Sequence, residues 1–142
     1  MQIEVVTEAD EELYQAFQRL MPQLTNNNPP PSHRDLAAIV QDASSTLLVA
    51  RNDERKIVGT LTLAAYRVPS GVRSMIEDVV VDNSARGQGI GEALVRRAIE
   101  VARGKGVQYV SLTSSSVREA ANRLYVKAGF EKRETNAYQM KL

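Results

Sequence analysis

The stretch VVVDNSARGQGIGEALV, residues 79–95, sets three alternating glycines, Gly87, Gly89 and Gly91, between an all-apolar run and an amphipathic pattern. Glycine inside a helix costs about 1 kcal/mol relative to alanine, so three of them at a helix mouth narrow what the segment can be. Val79, Val80 and Val81 read as a strand covered on both faces, and Leu94, Ala98 and Val101 mark the apolar face of a helix. A strand that turns through glycines into a helix presents free amides, and the positive end of the helix dipole, at one spot. Missing side chains let an anion reach the backbone, and glycine permits the left-handed conformations of an amide nest. The segment is therefore a candidate phosphate-binding turn. It is not a Walker loop, because no Gly-Lys-Ser/Thr follows a glycine at the required spacing. It is not a dinucleotide fingerprint, because Glu92 stands where that motif has its third glycine. A tight turn without a ligand is the alternative, and it requires fewer glycines.

Composition removes several other chemistries. The 142 residues, 43% hydrophobic and 25% charged, suit one soluble domain over residues 1–142. A net charge of +1 gives no bulk electrostatic reason to bind nucleic acid. With no cysteine, disulfides, thiolate metal sites and a cysteine nucleophile are excluded, and the single histidine, His33, cannot build a multi-histidine metal centre. The N-terminal MQIEVVTEADEE lacks a basic segment followed by an apolar one, and no apolar run approaches the ~20 residues that cross a bilayer. A cytoplasmic protein without membrane or metal is the expectation.

Residues 2–6 read as a strand, residues 8–24 as a helix, and TNNNPPPSH, residues 25–33, as irregular. Ser32 with Asp35 marks a second helix start, carried on by Leu36, Ile39 and Val40. Residues 46–50, 57–66 and 75–81 read as strands joined by polar turns. After the glycine-led helix, residues 107–114 read as a strand and residues 116–128 as a helix, with Ser116 and Glu119 as a capping box and Gly129 as its stop. Residues after Phe130 can supply one or two more strands.

RGQGIG, residues 86–91, resembles the Arg/Gln-x-x-Gly-x-Gly signature of the Gcn5-related N-acetyltransferases (GNAT family). IEDVVVDNSARGQGIGEALV, residues 76–95, and ANRLYVKAGFEKR, residues 121–133, resemble the same family beyond that hexapeptide. The resemblance implies a single-domain α/β fold with a mixed, mainly antiparallel sheet of six to seven strands flanked by about four helices. It implies acetyl-CoA as donor, attacked directly by a primary amine of a small molecule in a ternary complex, with no acyl-enzyme and no metal. It also implies that the backbone of Arg86, Gly87, Gln88, Gly89, Ile90, Gly91 and Glu92 holds the pyrophosphate, and that main-chain groups of Val79, Val80 and Val81 pair with the pantetheine arm. Dimerisation is common among such proteins, and a homodimer of this chain would form naturally through an exposed C-terminal strand.

The attacking amine must lose a proton and the leaving thiolate gains by receiving one, each positioned group contributing roughly 10²–10⁴ in rate. By resemblance Tyr125, which precedes the Gly-Phe pair closely, is the candidate acid. Helical spacing buries Val117, Ala121, Leu124 and Ala128 and sets Arg118, Asn122 and Tyr125 on a neighbouring face toward the cofactor. Many relatives carry asparagine seven residues before that tyrosine, where this chain has Arg118. Two readings of Arg118 stay open, a contact to cofactor phosphate or a solvated side chain. Glu77 is the candidate base, and strand alternation puts it on the face of Val79 and Val81 with Asp78 opposite. Solvent as the base, and Glu77 as a strand-edge ion pair, stay open beside it. The acceptor region falls near residues 24–35, 66–73 and 134–138, with Tyr66, Tyr138 and His33 as lining candidates. Nothing there names the acceptor. A protein lysine or N-terminus is a second enzymatic reading, and a non-catalytic acetyl-CoA-binding regulatory module a third. Having both Glu77 and Tyr125 favours an enzyme.

Overall fold

The computed structural model describes residues 1–142. The chain runs β1 (Gln2–Val5), α1 (Glu11–Leu24), α2 (His33–Gln41), β2 (Ser45–Arg51), β3 (Ile57–Val68) and β4 (Gly71–Val81). A 3-10 turn at Asn83–Ala85 precedes α3 (Ile90–Gly104), β5 (Val110–Ser111) and α4 (Glu119–Lys127). The strands lie in the order β1-β2-β3-β4-β5, the first four antiparallel and β5 parallel to β4. No helix is long and apolar enough to cross a membrane.

The sheet is mixed and mainly antiparallel with four helices, as expected, but it has five strands and not six to seven. Residues 131–142 form no ladder. Tyr138, Met140 and Leu142 have strand-like spacing, yet Tyr138 is 90% exposed and Met140 82%. The edge they would extend, β5, has only two residues in register, so that spacing has no apolar face to cover. Strand character expected over residues 107–114 contracts to Val110–Ser111.

Local choices explain most boundaries. Asp10 caps α1 by accepting from the Leu13 amide at 2.9 Å, and Ser32 with Asp35 closes the expected capping box on α2. The box expected at Ser116 and Glu119 does not form. The Arg118 amide bonds the Ser115 carbonyl in a turn, which delays α4 until Glu119 and leaves Arg118 at the N-cap without a side-chain cap. Asn122 Nδ2 stitches that turn by donating to the carbonyls of Ser115 and Arg118.

Two apolar clusters cover the two faces of the sheet. Leu48, Ala50, Leu61, Leu63 and Ile76 meet Ile90, Leu94, Val95 and Ala98 of α3. Leu47, Val49, Ile57 and Val80 meet Leu13, Phe17 and Leu20 of α1 and Leu36 of α2. The depth of α3 on the sheet is set at Gly59 of β3. A methyl there would stand 3.2 Å from Ile90 Cγ2, from Leu94 Cδ1 and from the Val80 carbonyl oxygen. Because that oxygen is backbone in a ladder, it cannot step aside. Gly59→Ala is expected to cost about 1–3 kcal/mol by overpacking, read as a lower urea midpoint. An unchanged midpoint would mean that α3 does not rest closely on the strand.

Candidate active site

β4 carries one residue too many. Its ladder with β3 pairs Ile76 with Leu63 and Glu77 with Thr62, then resumes at Val80 with Thr60. Asp78 and Val79 thus oppose Leu61 alone, and Asp78 takes a φ of 50°. This is a β-bulge, and aspartate is among the residues that tolerate the left-handed region. In a regular strand Ile76 and Val80 would share a face. Here Ile76 is buried on the α3 side and Val80 on the side of α1 and α2, while Val79 and Val81 pack toward α3. The expectation that Glu77 shares a face with Val79 and Val81 is therefore overturned, since the inserted residue turns the strand over between them.

β5 pairs with β4 only at Ser74↔Val110 and Met75↔Ser111, a junction fastened by the Ser74 hydroxyl donating to the Tyr109 carbonyl at 2.9 Å. Beyond it the strands part around a cavity of about 180 Å³. Ile76, Glu77, Asp78 and Val79 form one wall, and Leu112, Thr113 and Ser114 form the other. Arg118 and Tyr125 close one side, and Leu24, the last residue of α1, lies against it as well.

The cavity raises the proton affinity of two groups. Glu77 is exposed over much of its surface, yet partial burial lifts its carboxyl above its ordinary range, and the neighbouring charge of Asp78 adds to the effect. Burial also lifts the Tyr125 phenol, against the opposing charge of Arg118, so the phenol keeps its proton at neutral pH. The Tyr125 ring sits edge-on to Phe130 with centroids 6.0 Å apart, and the Phe130 amide donates to the Tyr125 carbonyl at 3.0 Å. One group can accept a proton more readily than usual and one retains its own, which is the pattern of an acid–base site.

The three glycines at the mouth of α3 serve two purposes. Gly87 and Gly89 have φ of 79° and 77°, with open space where a side chain would project, so conformation is what requires them. Gly91 is different: a methyl there would lie 3.1 Å from Leu124 Cδ1, so its lack of a side chain lets α3 approach α4. Gly89 is the N-cap, and the Ala93 amide donating to its carbonyl at 3.0 Å is the first helical bond. The amides of Ile90, Gly91 and Glu92 ahead of it are the unpaired donors of a helix start. Ile90 is buried and anchors the turn. The Arg86 side chain folds back toward the Val81 carbonyl, 3.4 Å away. The Glu92 carboxylate is held by Arg96 at 2.8 Å and Lys127 at 3.1 Å, and these partners keep it well ionised.

Of the residues singled out in the sequence, Glu77, Val79, Arg118 and Tyr125 meet in the cavity. Val80 has its side chain in the core and offers only backbone. Asn122 is occupied by the turn before α4, and Gln88 is exposed in the glycine loop. Tyr66, Tyr138 and His33 are not among the cavity walls, and His33 stacks on Tyr14 at 3.6 Å and contacts Glu11 at 2.8 Å. Asp78, Thr113 and Ser114 were not anticipated as walls. For Asp78 a signal existed, an αL-tolerant residue next to a run of β-branched ones.

The fold and these features define an α/β domain in which a bulged strand borders a carboxylate-and-phenol cavity and leads into a glycine-opened helix. The model of the acetyltransferase (GNAT) family matches residues 11–130, and the chain belongs to that family. N-acetyltransferase 8B of Homo sapiens is 36% identical over 95 residues, 66% of this chain and 41% of that protein. Glucosamine 6-phosphate N-acetyltransferase of Trypanosoma brucei brucei is 42% identical over 82 residues, 56% of this chain and 54% of that protein. The chain thus spans about half the length of these curated relatives. The crystal structure of a Trypanosoma brucei acetyltransferase superposes with a TM-score of 0.77 at 33% identity, covering 99% of this chain and 97% of that one. An aminoglycoside acetyltransferase from an uncultured soil metagenomic sample shares the fold, with a TM-score of 0.86 at 23% identity over 99% of this chain and 95% of that one.

Asp78→Asn tests the coupling between the two carboxylates, because asparagine keeps the backbone conformation and removes the charge. The Glu77 titration midpoint, followed by side-chain ¹³C NMR, is expected to move down yet stay above the ordinary glutamate range, since its partial desolvation persists. No movement would show that Asp78 does not act on it.

Proposed function

We propose that the chain transfers the acetyl group of acetyl-CoA to a primary amine of a small molecule by direct attack in a ternary complex. The observation that carries this reading is the convergence of Glu77 and Tyr125 on one cavity along the unpaired edge of β4, at the end of the strand that enters the glycine loop. Acetyl-CoA supplies an activated acetyl group as a thioester. The loop fits its diphosphate: Gly87 and Gly89 leave open space at the backbone, and the amides of Ile90, Gly91 and Glu92 lie at the positive end of the α3 dipole. The edge of β4 past Met75 faces no strand, so main-chain groups around Val79, Val80 and Val81 can pair with the amide-bearing arm of the donor once the long Arg86 bond to the Val81 carbonyl gives way. The bulge leaves the main chain at Asp78 and Val79 out of regular pairing, which supplies a polar group for the reacting carbonyl.

Glu77, with its raised proton affinity, takes the proton that the attacking ammonium must lose, directly or through a water. The nitrogen–carbon bond forms as the carbon–sulfur bond breaks, and the protonated phenol of Tyr125 gives its proton to the departing thiolate. Asp78 beside Glu77 adds negative potential that favours a cationic acceptor. A relative named for glucosamine 6-phosphate supports a small acceptor.

Thiol release from acetyl-CoA across a panel of amines tests the chemistry. Tyr125→Phe and Glu77→Gln are each expected to lower kcat roughly 10²-fold, and Glu77→Gln to remove the acidic limb of the pH profile. That limb lies above the ordinary carboxylate range in the wild type, because activity is lost as pH falls through the raised pKa of Glu77. Rates equal to wild type in both variants would discard these roles, and donor binding without release for every amine would make the chain a binding module. The loop is tested by Gly89→Asp against Gly89→Asn. Both residues tolerate the left-handed backbone, so only the charge differs. Asp is expected to weaken acetyl-CoA binding by calorimetry at least about tenfold more than Asn, an energy of about 1.4 kcal/mol. Equal affinities would place the diphosphate elsewhere.

A further inference from the structure

The last turns of α1 reach across the molecule and grip the chain where it enters the glycine loop. Arg19 donates from Nε to Asp82 Oδ2 at 3.2 Å and from its second terminal nitrogen to the Ile57 carbonyl. One turn on, Gln23 Oε1 accepts from the Asn83 amide at 2.8 Å, while its Nε2 donates to the Arg19 carbonyl at 3.2 Å. Asp82 is the residue these contacts converge on. Its side chain is 8% exposed, and it accepts from the Ser84 amide and hydroxyl at 3.1 and 3.0 Å. Its own amide donates to the Val58 carbonyl at 2.8 Å, and its carbonyl accepts from the Ala85 amide at 2.8 Å. Burial disfavours the Asp82 charge, but the bonds from Ser84 and Arg19 together outweigh it and hold the carboxyl below its ordinary range. Residues 82–85, which aim the chain into Gly87 and Gly89, are thereby fixed from outside their own strand and helix.

We infer that Arg19 and Gln23 are positioning residues for the donor, setting its affinity by holding the entry to the glycine loop in the conformation that aims the amides. The inference rests on the proposed reading of that loop as the diphosphate site. Fixing the entry beforehand spares the ordering that binding would otherwise require. No residue of the clamp lies in the loop itself, whose own tie back to the strand is the long Arg86 bond to the Val81 carbonyl at 3.4 Å. The adjoining Leu24 lies against the cavity that holds Glu77, so one helical turn borders both halves of the site.

Replacing Arg19 by an apolar residue would strand a buried carboxylate, and the fold would suffer for that alone. Gln23→Met is the cleaner change, since it keeps the shape and removes the acceptor for the Asn83 amide, which water can then satisfy. Arg19→Lys keeps the charge beside Asp82 and gives up the fork that reaches Ile57. The dissociation constant of acetyl-CoA is measured by calorimetry for both variants, alongside Tm without ligand. Gln23→Met is expected to bind acetyl-CoA about three- to tenfold more weakly, in line with the cost of ordering the entry on binding, with Tm within roughly 2 °C of wild type. Arg19→Lys is expected to weaken binding in the same direction. Affinity within twofold of wild type for Gln23→Met overturns the inference, and so does a loss of affinity that only accompanies a lower Tm. The Gly89 pair separates the two failures. If Gly89→Asp loses the donor while Gln23→Met does not, the loop stands and the clamp falls; if Gly89→Asp binds like Gly89→Asn, the loop reading itself has failed.

Discussion

An additional residue in β4, held in the left-handed conformation of Asp78, turns half of the strand over, and the cavity depends on that turn. Ahead of it Ile76 feeds the cluster under α3, and after it Val80 feeds the cluster under α1 and α2. A left-handed conformation costs a typical L-residue about 1–2 kcal/mol, less for aspartate. Burying Val80 returns about 1.5–3 kcal/mol, so the bulge is supported by the core behind it. Its position at the site follows, because Glu77 and Asp78, consecutive residues that alternation would set on opposite faces, both reach the same pocket.

The glycine mouth of α3 is held from three directions. Gly59 lets Ile90 and Leu94 settle on β3, Gly91 lets Leu124 of α4 come close, and Asp82 receives α1 through Arg19. Lys127 on Glu92 adds a surface tie between α3 and α4, which contributes little on its own because both groups are partly hydrated. What remains open is the space beside Gly87 and Gly89, where a side chain would meet nothing within 4 Å. A rigid frame around an open backbone turn is what preorganised anion binding requires.

Much of this was legible in the sequence, for identifiable reasons. The strand–glycine–helix order, the Ser32 cap and the apolar periods of α1 and α3 are short-range signals, and each appears where the spacing placed it. Glu77 and Tyr125, each in a segment that carries the family resemblance, come together in the cavity. What escaped detection was long-range. Period-two reasoning has no means to see an inserted residue, so the face of Glu77 was misassigned. A capping box at Ser116 and Glu119 satisfied the local pattern, but the turn closed by Arg118 and Asn122 displaced it. The C-terminal spacing resembled a strand, yet a strand needs an edge to pair with, and β5 offers two residues. Arg19 and Gln23 are polar positions on an amphipathic helix, with no local signal that sets them apart. Their partners lie some sixty positions away in the chain, at separations of 63 and 60 residues.

β2, β3 and β4 follow one another through tight turns, whereas β5 arrives only after the whole of α3 and joins β4 parallel over two residue pairs. The inner strands can zip up locally, but the β4–β5 junction needs a distant closure and offers few bonds in return. Amide exchange across the sheet would accordingly be graded, slowest in the meander and fastest at this seam. The candidate site thus lies beside the shortest ladder of the sheet, where two walls can part without disturbing the meander.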